Sequence, residues 1–115
     1  MIRNCICMLL VPAICFGASI VQTFDAPDTG ISGLGYGGGS LWAVDGTTQY
    51  LYEINPSNGS VISSFYITSI SGEDPFGLAY MGGTLYVSMV SGTSIGQVYK
   101  FNTSGTYLGG FDAYC

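Results

Sequence analysis

Histidine is absent from the 115-residue sequence. That removes the imidazole that serine and cysteine hydrolases use as a base and that many metal sites use as a ligand. Charge is nearly as scarce: lysine and arginine number two against seven acids, and charged residues make up 8% of the chain. A protein so poor in cations cannot grip a phosphate backbone, so neither nucleic acid nor an anionic membrane surface is expected as a partner. No segment has the 3.6-residue period of an amphipathic helix, and there is no charge block or low-complexity tail. With 48% hydrophobic residues, few side chains remain to solvate an open face, which suits sheets covered on both sides.

The one uncharged apolar run lies at the N-terminus. Arg3 is followed by apolar residues from Cys5 to about Phe16 and then by small ones, the build of a secretory signal peptide over residues 1–17, cleaved after Ala13 or after Gly17. The run is short for a membrane span, so no membrane association is expected after cleavage. The expected location is extracellular. Removal of the leader leaves Lys100 as the one cation against seven acids, a net charge of −6. Cleavage after Ala13 retains Cys15, which with Cys115 puts a thiol at each end as disulfide candidates, within a chain or between chains. Cleavage after Gly17 leaves Cys115 alone.

What the sequence has in quantity is glycine, tyrosine and internal similarity. GLGYGGGSLWAVD from Gly33 and GLAYMGGTLYVSM from Gly77 share Gly-Leu-x-Tyr, a Gly-Gly pair and Leu-aromatic. Each is followed by Tyr-x-x-Asn, a glycine-centred turn and a closing phenylalanine, at a spacing of about 44 residues. Alternation of apolar and polar residues divides residues 33–65 into strands at 34–36, 41–44, 50–55 and 61–65. It divides residues 77–111 into strands at 78–80, 85–88, 97–102 and 107–111. The Gly-Gly and Asn-Gly pairs are expected as hairpin turns with positive φ at both central residues. The loop before Gln97 is longer than its counterpart by about three residues. Glu53 and Lys100 share one strand position, where the opposite charges either face each other between stacked blades or, as expected, are solvated rim charges of little energetic consequence. Residues 20–24 (IVQTF) alternate in the same way, and the tripeptide Phe24-Asp25-Ala26 that closes them recurs at Phe111-Asp112-Ala113. They are predicted as an extra N-terminal strand.

Gly-Leu-Ala-Tyr, Gly-Gly-Thr-Leu-Tyr-Val and Asn-Pro-Ser-Asn-Gly-Ser-Val resemble the repeats of NHL, YncE and streptogramin-lyase-like β-propellers. The resemblance covers about 90 of the 115 residues. It implies an all-β fold of two four-stranded antiparallel propeller-type blades in a domain spanning residues 20–115. Asn55 and Asn102 stand where that pattern often has Asp, and Ser88 is aligned with Asp45; these look like degenerate loop positions. Propellers close a ring of typically four to eight blades. Two blades alone leave faces exposed.

The chemistry-bearing residues are few. Glu73-Asp74 and Asp25/Asp28 sit where solvated turns are expected, so no catalytic residue and no enzyme activity are expected. Streptogramin lyases depend on a histidine that this chain lacks. Asp25, Asp28 and Asp45 offer oxygen ligands without calcium-loop spacing, so no metal is expected. The glycines from Gly35 to Gly39 precede neither lysine nor helix, so no phosphate-binding cofactor is expected either. The nine tyrosines are read chiefly as packing between blades, with carbohydrate as a further partner class near Trp42, Tyr50 and Tyr66. The expected function is a secreted structural or interaction protein that binds other copies of itself, in a ring or a filament. The interaction residues assigned are Ile20, Val21, Phe24, Trp42 and Tyr86. The alternative is a fragment of a larger extracellular propeller enzyme or ligand-binding protein.

Overall fold

The structure is a computed structural model and describes residues 17–67, 73–90 and 96–113. Among these residues it is all-β. Strands β1 (Ile31–Gly37), β2 (Ser40–Asp45), β3 (Tyr50–Ile54) and β4 (Val61–Tyr66) form one antiparallel sheet in sequential order. Strands β5 (Asp74–Met81), β6 (Thr84–Val90), β7 (Gln97–Asn102) and β8 (Tyr107–Asp112) form a second. No helix among the described residues is long and apolar enough to cross a membrane.

Local chemistry fixes the hairpins. Gly38 and Gly39 have φ of 63° and 81°, and Gly82 and Gly83 have 58° and 84°, so both Gly-Gly pairs make the two-residue turns expected. The Asn-Gly expectation is half corrected: Gly59 has φ 78° while Asn58 is not left-handed. There Asn55 organises a wider loop, its carbonyl accepting from Gly59 N–H at 2.8 Å and its side chain accepting from Ser57 N–H at 2.8 Å. Asn102 does the same for Ser104 and Thr106, each at 2.9 Å. These asparagines are therefore turn-forming residues. The β2–β3 connection has four residues, 46–49, between Asp45 and Tyr50, and the equivalent stretch before Gln97 has seven, 90–96.

The two sheets have matching registers. Gly33 faces Val44 as Gly77 faces Ser88, so the counterpart of Asp45 is Met89, not Ser88 as the sequence alignment had it. Each sheet is bulged at the same two places, with Ser32 and Phe76 as the extra residues near the start and Ile62 and Leu108 near the end. A bulge shifts the face a side chain points to and adds twist.

Partners directly opposite on antiparallel strands share a face. The register therefore puts Gly33, Gly35, Gly37, Trp42, Val44, Leu51 and Phe65 on the inner face of the first sheet. On the inner face of the second lie Leu78, Tyr80, Leu85, Val87, Tyr99 and Phe101. These faces meet in one core, in which Trp42, Val44, Leu51, Ile67, Leu85, Val87, Met89, Tyr99 and Phe101 are buried. Burial of each large side chain contributes roughly 1.5–3 kcal/mol relative to exposure. The closest approach is made by glycine. A Cβ at Gly33 would lie 2.9 Å from Gly77 Cα, and one at Gly37 would lie 1.9 Å from the Tyr80 ring.

The predicted strand at residues 20–24 is corrected. Residues 17–26 belong to neither sheet, and Ile20 and Val21 are 83% and 95% exposed. Both sheets already have four strands of their own, and Pro27 supplies no N–H to a ladder. The segment lies on the outer face of the first sheet instead. The Phe24 ring covers Gly59, the Gln22 side-chain amide donates to Ser57 C=O at 2.8 Å, and Tyr52 OH donates to Asp28 Oδ2 at 3.2 Å.

Candidate functional site

The residues assigned from sequence fall in different places. Trp42 is 2% exposed and sits between the sheets, stacked on Tyr80 with ring centroids 6.2 Å apart, its indole N–H donating to Gly37 C=O at 3.1 Å. It is the inner-core anchor of this chain and presents no face to a sugar. Tyr86, its counterpart by register, lies on the opposite side of the second sheet and is half-buried. Ile20, Val21 and Phe24 belong to the N-terminal segment. Cys15 and Cys115 lie outside the described residues, as does nearly all of the expected leader. Glu53 and Lys100 do not face one another. Glu53 accepts from Ser40 Oγ at 2.6 Å and Ser63 Oγ at 3.1 Å on the inner side, whereas Lys100 pairs with Tyr86 and Gly109 on the outer side.

The acids act in turns and between sheets. Asp45 is fully buried. Its carboxylate accepts from Thr47 and Thr48 N–H at 2.7 Å each and from Gly30 N–H at 3.0 Å, tying the β2–β3 turn to the entry of β1. Burial pushes its pKa up, but these hydrogen bonds outweigh burial and hold it below the ordinary value. With its oxygens committed to backbone donors, Asp45 is an anchor rather than a metal ligand or a base. Tyr99 is the inverse case. Burial first, then the hydroxyl's 2.8 Å bond to Glu73 Oε1, pushes its pKa up, so it stays protonated. Burial and Asp28 raise Tyr52 in the same way. Gln49, with φ 63°, reaches from the first sheet to Glu73 C=O and Asp74 Oδ1, both at 3.2 Å. No three His, Cys, Asp or Glu side chains converge as a metal cluster among the described residues.

What remains are two outer faces. On the second sheet, Ala79, Tyr86, Val98, Lys100 and Phe111 share the outer face with Met81 at its rim. Met81 is 65% and Phe111 53% exposed, and Phe76 in the adjoining bulge is 64% exposed. On the first sheet, Leu34 and Tyr36 are 59% and 64% exposed, while Ala43 and Ile54 on the same face are buried. The difference follows the N-terminal segment. Phe24, Ala26 and Pro27 form a cleft of about 380 Å³ with Ile31, Leu34, Leu41, Ala43 and Ile54, so Leu34 stands at its edge. Farther out on that face, Tyr50 packs edge-on against Tyr66 at 5.7 Å and lies 6.2 Å from Tyr52. Sequence reasoning missed Leu34, Tyr36, Met81 and Phe111. Carrying the two-residue alternation through the first and last strands of each sheet would have placed them. The described residues thus leave two outer sheet faces with exposed apolar side chains, that of the second sheet also carrying Lys100. Searches against protein-family models and curated proteins found no match for this chain.

Proposed function

We propose that this protein is a secreted structural or interaction component that works by associating with other copies of itself, its two sheets acting as propeller-type blades. One observation carries the reading. The outer face of the second sheet has the register of the face by which the first sheet packs on the second, yet among the described residues nothing covers it. Exposed Met81, Phe76 and Phe111 on and beside this face are apolar side chains of the kind that mark a contact site. Matching registers and bulges support the repeat, and the apolar N-terminal run supports export. Light scattering of the purified protein tests the reading. The expected mass rises with concentration above that of one chain; a constant single-chain mass through the micromolar range overturns it.

A carbohydrate-binding reading keeps one favourable observation, the exposed Tyr50–Tyr66 pair beside Tyr52. Its test is a glycan-array signal that disappears in Tyr66→Ala. Trp42 has no part in it.

A further inference from the structure

We propose that the outer face of the second sheet in one copy docks on the outer face of the first sheet in another copy, head to tail. This would repeat between molecules the contact that joins the two sheets within one. The inference rests on the self-association reading and names its surfaces.

The argument is one of register. Within the chain, the donor face presents Gly35, Gly37 and Trp42, and the recipient face presents Leu78 and Tyr80. The residues at the donor positions of the second sheet are Ala79, Met81 and Tyr86. Those at the recipient positions of the first are Leu34 and Tyr36. One complete interface is therefore formed inside the chain, and its two halves recur on opposite outer sides, the recipient half partly covered by the N-terminal segment. A contact between unlike faces is heterologous, and it continues into a ring or a filament according to the rotation it imposes. A second copy of this chain is the occupant whose surface already has the matching register.

The copy cannot be identical, and the differences indicate its strength. A Cβ at Gly35 would lie 3.3 Å from Leu78 C=O, so the methyl of Ala79 requires a shift of only a few tenths of an ångström. At Gly37, however, the intrachain contact admits no side chain, because the Tyr80 ring fills that space. Met81 occupies the corresponding place, so Tyr36 lies against the thioether instead of nesting as Tyr80 does, a sulfur–aromatic contact. The N-terminal segment is a second difference. It covers Ala43 and Ile54, the counterparts of Val87 and Phe101, which the first sheet covers within the chain. Docking over the whole face displaces it. Both differences make the contact between copies weaker than the one inside, and therefore reversible.

Complementation between two blocked full-length variants tests the geometry. Leu34→Glu closes the recipient face and Met81→Glu closes the donor face, both at exposed positions. In sedimentation velocity each variant alone is expected to run as a single chain, and an equimolar mixture is expected to form one-to-one pairs and nothing larger. Emission from the buried Trp42 verifies folding, and Tyr36→Glu with Ala79→Glu forms a second pair if either variant fails that check. A wild-type protein that associates while the mixture stays as single chains overturns the head-to-tail docking and leaves self-association standing. So does a Leu34→Glu variant that still pairs with itself, which reports a like-face contact. A wild-type protein that remains a single chain overturns both.

Discussion

Asp45 concentrates the energetics of a single residue. Three backbone N–H groups point at a carboxylate with no access to water, and removing it leaves these part-buried donors without their acceptor. Asp45→Ala is expected to cost about 1–3 kcal/mol in urea denaturation. Its pH dependence has a defined sign. Because the folded-state pKa is lowered, the stabilisation is fully present above the unfolded pKa and is lost as pH falls through the folded one. Denaturation midpoints followed through the acid range should show a steeper loss of stability in wild type than in Asp45→Asn, which cannot ionise. Equal slopes would contradict the assignment. Asp45 was legible in the sequence only as a turn residue, since Asp-Gly-Thr-Thr reads as a loop. That the turn folds back onto Gly30 depends on a contact 15 residues away in the chain, which local pattern does not carry. Trp42 shows the same limit. Its strand was evident from alternation, but which face meets the other sheet is decided by Gly33, Gly35 and Gly37, whose bare backbone admits close approach on one side.

At the scale of elements, the hairpins and all eight strands follow from two-residue alternation and glycine turns, to within a few residues at their ends. Gly37 is the sharpest test of their packing. Gly37→Ala places a methyl inside the Tyr80 ring and should destabilise by about 1–3 kcal/mol as Tyr80 is forced aside, read as a lower urea midpoint with a red-shifted Trp42 emission. Residues 20–24 have the alternation of a strand but no place in a ladder. A strand is made by partners as much as by its own pattern, and the four strands the sequence already assigned to each repeat left residues 20–24 no edge within the chain. The segment acts as a loosely packed cover instead, its cleft incompletely filled. Phe24→Ser, which removes the ring from Gly59, is expected to loosen this cover and to tighten association between copies. Weaker association in that variant would show that the segment belongs to the contact rather than competing with it.

For the whole molecule, the central claim is that two sheets satisfy only one of the interfaces their faces encode. The inner pair is closed by Trp42 on Tyr80 and a continuous core. The outer pair carries Leu34 and Tyr36 on one side and Met81 and Phe111 on the other, all more than half exposed. Their association works against the self-repulsion of the chain's net negative charge, so it should strengthen as salt is added. The most direct measurement is hydroxyl-radical footprinting of the full chain from low to high micromolar concentration, with Tyr107 on an inner-face rim as the internal control. Met81 and Leu34 are expected to lose reactivity together as concentration rises while Tyr107 does not; unchanged reactivity of Met81 and Leu34 across that range would contradict the claim.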